Sequence, residues 1–173
     1  MMTIRPFRLI FSLLAMAGAA GAGLAASAAH ASDPGEAEQN RRTIARSFEA
    51  WRDGTGGPYD LLAQDAVWTI TGHSLAGKTY QSRDAFMNEV IRPFNARMRE
   101  RLIPTVHAIY AENETVIIHF DARGVARDGK PYENSYAWLL RLKGGKITRA
   151  HAFFDALAFD DLPVAAQIGL VQG

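Results

Sequence analysis

The stretch from Thr115 to Phe154, TVIIHFDARGVARDGKPYENSYAWLLRLKGGKITRAHAFF, decides the fold. It divides at Asp128-Gly129 and at Gly144-Gly145 into three segments, 115–126, 132–142 and 146–154. Each alternates apolar with polar side chains and is rich in β-branched and aromatic residues, the composition that suits a half-buried strand. Asp-Gly and Gly-Gly supply the positive backbone φ of tight hairpins, so the segments read as an antiparallel meander. A further strand-like segment, 103–110, precedes them and joins through Glu112-Asn113-Glu114.

Upstream the period changes. Ile44, Phe48 and Trp51 recur at i, i+4 and i+7, which predicts a helix over 37–52 with one buried face. The run Asp53-Gly54-Thr55-Gly56-Gly57-Pro58 stops it. A short second helix is expected around Tyr59, Leu61 and Leu62, then a strand over 67–71 and a loop from Gly72 to Gly77. Ser82 is placed to cap a third helix carrying Phe86, Val90 and Phe94 on one face, which Pro93 should kink or end. Helices first and a strand meander after is an α+β arrangement.

The first thirty-one residues stand apart. Arg5 and Arg8, the apolar run from Leu9 to Leu14, and Ala29-His30-Ala31 have the order of a secretory signal peptide with cleavage after Ala31. The alternative is a retained membrane anchor, against which the weakly apolar Ala/Gly half of the segment argues. The expected organisation is a signal peptide (1–31), a polar tether (32–36) and one domain (37–173), with a periplasmic or secreted address. Residues 32–173 carry 17 basic and 18 acidic side chains and no basic block, which argues against a nucleic-acid partner. No second long apolar run exists, so no membrane association is expected after cleavage. The absence of cysteine excludes disulfides, thiolate nucleophiles and Cys-ligated zinc.

Several strings carry a resemblance: Asp65-Ala66-Val67-Trp68, Asn134-Ser135-Tyr136-Ala137-Trp138, GKITRAHAFFD (145–155) and Phe159-Asp160-Asp161-Leu162. Over 37–162 the chain resembles the nuclear transport factor 2-like superfamily, and within it the SnoaL-like, ketosteroid-isomerase-related proteins. The resemblance implies a cone, a curved antiparallel sheet wrapped around N-terminal helices, with the chemistry on the concave face. It implies no single reaction, because one such fold hosts isomerases, dehydratases, hydrolases, cyclases and binding domains. Its register turns Asn134, Tyr136, Trp138 and Leu140 inward on one strand, with His119, Asp121 and Arg123 inward on the next. Ala150, Ala152 and Phe154 then face inward on the last strand, and Trp68 and Ile70 on the first. His151 falls on the convex face.

His119 and Asp121 form the candidate catalytic pair. Two residues apart on a strand, they share a face. An imidazole and a carboxylate in an apolar cone would tune each other's protonation, and a desolvated carboxylate becomes a stronger base. The alternative is a buried ion pair of the two, or a structural network of Asp121 with Tyr136 or Arg123. By the resemblance Asp121 occupies the place of one catalytic aspartate of limonene-type epoxide hydrolases. The second would fall at Ala152 and its water-holding residues at Trp68 and Ile70. The isomerase base would fall near Ile70 and its protonated aspartate at Trp138, so neither known site is intact. Ligand-binding candidates are Trp68, Ile70, His73 (on the loop at the cone mouth), Arg123, Asn134, Tyr136, Trp138, Ala152 and Phe154. The five histidines have no metal-ligand spacing, and no metal or cofactor is expected.

Three functions follow: a general acid–base enzyme acting on a small hydrophobic molecule, a non-catalytic binding domain for such a molecule, and an association module. For the last, Ile118, Phe120, Leu139 and Phe153 are expected on the convex face. Apolar residues on both faces of a sheet imply that both are covered, hence a homodimer.

Overall fold

In a computed structural model, residues 34–162 are described. Residues 1–31, expected to be a signal peptide, the start of the expected tether and residues 163–173 of the expected domain lie outside them. Helix α1 spans Pro34–Asp53 and begins earlier than its apolar period suggests, because Pro34 suits a first helical turn and Glu36 complements the dipole there. Its Ile44 and Phe48 are fully buried. The expected second helix is a single 3₁₀ turn, Pro58–Leu61, closed by the Asp60 carboxylate, which accepts from the Gly57 N–H at 2.9 Å. Leu62 already belongs to strand β1, Leu62–Ile70. Strand β2 is the pair Thr79–Tyr80.

The Ser82 side chain caps α2, Arg83–Phe86, by accepting from the Ala85 N–H. A π-turn, Met87–Ile91, then leads into α3, Arg92–Ala96. Pro93 has no N–H to give the preceding turn, and the wider π-turn sits where a regular helix would leave that carbonyl unpaired. The helix neither ends nor breaks at Pro93; it widens ahead of it.

Strands β3 (Met98–Glu112), β4 (Thr115–Ala126), β5 (Pro131–Lys143) and β6 (Lys146–Phe154) form the meander, and α4 is Ala156–Asp160. Asn113 at φ 54° and Gly144 and Gly145 at 56° and 74° make its tight turns. The sheet order is β2-β1-β6-β5-β4-β3. It is mixed and not wholly antiparallel, because β1 runs parallel to β6, with Trp68 opposite Ala150 and Ile70 opposite Ala152. A parallel pair needs a long crossover, and everything from β2 to β5 supplies it. Gly124 sits where β4 passes the irregular start of β3. A Cβ there would lie 2.8 Å from the Met98 methyl and 2.9 Å from the Glu100 carbonyl oxygen.

The register of β4 corrects an expectation. Phe120 lies opposite Tyr136, Ile118 opposite Trp138 and Ala122 opposite Asn134. Directly opposed residues share a face, so Val116, Ile118, Phe120 and Ala122 are buried with Tyr136 and Trp138. His119, Asp121 and Arg123 therefore point to the outer face, not into the cone. The strand's own alternation explains why: the inward set is wholly apolar, whereas the slipped register would desolvate an imidazole, a carboxylate and a guanidinium.

The inner face is covered by α1, which lies against β3 and β4. Phe48 meets the Phe120 ring edge-on at 4.8 Å and Trp138 at 5.7 Å. On the outer face Ile103, Ile117, Leu139 and Phe153 remain exposed. Ile118 and Phe120, expected there, are core.

Candidate ligand-binding site

Between the inner face and the helices lies a cavity of about 680 Å³, within the ~300–1,000 Å³ typical of small-molecule sites. β1 lends Trp68 and Ile70, β5 lends Tyr136 and Trp138, and β6 lends Ala152 and Phe154. These are six of the positions that the register implied by the resemblance turns inward. The helices lend Trp51, Tyr59, Phe86, Val90, Phe94 and Phe159, which sequence reasoning did not place there. All three tryptophans of the chain line the cavity. Trp68 stacks on Phe86 at 4.3 Å and meets Trp138 edge-on at 5.0 Å. Tyr59 closes the group, 6.0 Å from Trp68 and 5.9 Å from Trp138. The walls are aromatic and suit a flat apolar guest.

The polar groups of the cavity are mainly hydrogen-bond donors. Trp68 is 2% exposed, and its indole N–H is buried without a partner among the described residues. The Tyr59 hydroxyl also has no partner there, and burial pushes its ionisation well above the usual tyrosine range. The Tyr136 hydroxyl lies 2.9 Å from that of Tyr132, and burial raises both. These phenols stay protonated at neutral pH.

The direction of the Tyr132–Tyr136 bond follows from the groups behind it. Asn134, 6% exposed, accepts at Oδ1 from the Asp155 N–H (2.9 Å). That fixes the amide orientation, so its Nδ2 donates to the Asp155 carbonyl (2.9 Å) and to the Tyr132 hydroxyl oxygen (3.0 Å). Tyr132, 3% exposed, has one acceptor within reach for its own proton among the described residues, Tyr136. Were the bond reversed, Tyr132 would bury an unsatisfied O–H at about 1–3 kcal/mol. Tyr132 therefore donates to Tyr136, and the proton of Tyr136 has no acceptor left among the described residues. Nothing in the sequence flags Tyr132 or Tyr59. The one available signal was that Asn134 is a polar residue on an otherwise apolar inward face.

Among the described lining residues the only carboxylate is Asp60, tied to the Gly57 N–H, and there is no histidine. Arg101, also lining, donates to the Trp51 and Arg52 carbonyls at the end of α1 (2.8 and 2.7 Å).

The proposed catalytic pair lies elsewhere. On the outer face Asp121 accepts from the Ser135 hydroxyl at 2.6 Å and contacts His107 Nε2 at 2.7 Å. The Ser135 and His107 bonds hold its carboxyl below the usual range. The His119 ring stands 4.9 Å from that of His107. The serine donates to the carboxylate and not to an imidazole, so this is no activated nucleophile. Arg123 and His73 are exposed and do not line the cavity, and Asn134 lies two hydrogen bonds behind it, through Tyr132 and Tyr136. Among the described residues no group of three His, Asp or Glu side chains is arranged to hold a metal ion.

The family model of the SnoaL-like domain matches residues 44–150. The chain is a SnoaL-like domain. Its fold recurs in Bal32a from a soil-derived mobile gene cassette, at 21% identity over 73% of this chain and 98% of that one, with a TM-score of 0.60. A protein from Jannaschia sp. CCS1 described as a SnoaL-like polyketide cyclase aligns at 17% over 76% and 97% (TM-score 0.57). TerC, co-crystallised with polyporic acid, aligns at 18% over 71% and 96% (TM-score 0.57). A comparison with curated proteins finds no match. SnoaL-like domains bind small molecules.

Proposed function

We propose that this SnoaL-like domain is an exported binding domain that holds a small, flat, hydrophobic organic molecule in the cavity. The observation that carries the reading is the lining itself: aromatic walls, donors left without protein partners, and the His119–Asp121 pair on the other side of the sheet. Proton-transfer chemistry by that pair loses its geometric basis, because neither group reaches the cavity. TerC, on the same fold, was co-crystallised with polyporic acid, which is in keeping with this reading.

The test is intrinsic fluorescence. Because Trp51, Trp68 and Trp138 all line the cavity, an occupant must change their emission. Saturable quenching by bicyclic aromatic compounds supports the reading; unchanged emission across apolar, acidic and basic aromatics refutes it. Export through the 1–31 signal segment is part of the proposal, and the N-terminal residue of the chain purified from its host, Ser32 or Met1, decides it. The exposed apolar outer face of β3 to β6 is proposed to pair with a second copy. Light scattering at micromolar concentration should give twice the monomer mass, and a Phe153→Glu variant should give the monomer.

A further inference from the structure

We infer that the cavity selects guests bearing an acceptor oxygen, a ketone, quinone or phenolate on an aromatic frame, with the Tyr136 hydroxyl as the donor that reads it. The inference rests on the small-molecule reading above and adds the ligand class. Its basis is the hydrogen count. The Asp155 backbone orients the Asn134 amide, Asn134 gives a hydrogen to the Tyr132 oxygen, and Tyr132 must then give its own to Tyr136. Each link has a donor and an acceptor until Tyr136, whose proton is left for the cavity. Trp68, a lining residue whose indole can only donate, has a buried N–H that is likewise without a partner among the described residues. An oxygen acceptor completes this arrangement. An ammonium brings more hydrogens to a cavity whose one carboxylate among the described residues, Asp60, already accepts from the Gly57 N–H, and a hydrocarbon leaves the donors unmet.

Tyr136 touches the guest. Tyr132 and Asn134 are positioning residues: by occupying the acceptor side of the Tyr136 oxygen they aim its proton away from the sheet.

The experiment compares three probes of one size on the chain purified from its host: 2-acetylnaphthalene, 2-ethylnaphthalene and 1-(2-naphthyl)ethylamine. Calorimetry should rank the ketone about tenfold tighter than the hydrocarbon, the usual scale of one directed hydrogen bond, with the amine weakest. The infrared stretch of the carbonyl-labelled ketone should move to lower frequency on binding. In Tyr136→Phe the ketone should fall to the hydrocarbon's affinity and the carbonyl shift should vanish, while the hydrocarbon binds as before. In Tyr132→Phe the shift should shrink although Tyr136 remains, an effect that a mere packing defect would not produce. Equal affinity of ketone and hydrocarbon for the unmutated chain, with no carbonyl shift, overturns the inference and leaves the pocket reading standing; that comparison needs no variant to fold. If no probe binds and tryptophan emission is unmoved, the pocket reading itself fails and takes the inference with it.

Discussion

Replacing Asn134 with Leu tests the hydrogen-bond chain behind the cavity. The substitution keeps an inward side chain of similar volume and removes three bonds: two donated by Nδ2, to Tyr132 and the Asp155 carbonyl, and one accepted from the Asp155 N–H. Each orphaned group costs about 1–3 kcal/mol when fully buried. The two Asp155 backbone groups are only partly buried and recover some water, so about 1 kcal/mol for each of the three groups is the appropriate figure. Burying a leucine in place of an amide returns about 1 kcal/mol. The net loss is about 2 kcal/mol, which lowers the melting temperature of a domain this size by about 4–8 °C. Thermal melts followed by circular dichroism measure it. Amide exchange gives the local readout: the Asp155 N–H should exchange about tenfold faster or more, because Asn134 is its partner. A melting temperature within about 1 °C of the parent, with unchanged Asp155 exchange, would show that the chain of bonds is not formed as described.

Four further outcomes are expected. Phe48→Ala removes a fully buried ring that meets both Phe120 and Trp138; it should cost about 3–5 kcal/mol in urea unfolding, and a loss below about 1 kcal/mol would contradict the packing. Gly124→Val must push apart β3 and β4 at the Glu100 carbonyl, so the variant should unfold at clearly lower urea or accumulate as insoluble protein. Asp121 has a depressed carboxyl, so its contribution to stability is present above the unfolded carboxyl value of about 3.9 and disappears as pH falls through the folded one. The stability gap between the parent and Asp121→Asn should therefore be open at pH 7 and closed in strong acid; a gap that widens on acidification would reverse the assignment. His119→Ala should leave every cavity affinity unchanged, since its ring stands on the outer face, and a loss of binding would return it to the site.

Much of the fold was legible because it follows from local chemistry. The period of Ile44, Phe48 and Trp51 marks α1, the Ser82 side chain caps α2 as its residue type implies, and Gly144-Gly145 makes the turn its two positive φ values require. The limits of β4 and β6 match the alternating runs in the sequence. The cavity positions Trp68, Ile70, Tyr136, Trp138, Ala152 and Phe154 follow from alternation on β1, β5 and β6 once the family resemblance sets which face is inward. The face of β4 was misassigned although its own pattern held the answer. Val116, Ile118, Phe120 and Ala122 make an apolar row, and His119, Asp121 and Arg123 a polar one.

What the sequence determined by itself was which segments are helix and strand, where the chain turns, and that an aromatic, apolar face exists to be covered. Those properties depend on neighbours within a few residues. Tertiary structure alone decided that β1 runs parallel to β6, that Asp121 meets Ser135 and His107 outside the cone, and that Tyr59 joins Trp68 and Trp138 across the cavity. It also decided which way the Tyr132 proton points, because that depends on Asp155, more than twenty residues along the chain, having already claimed one side of the Asn134 amide. A hydrogen bond has a direction only once both of its ends are in place, and no local pattern records the second end.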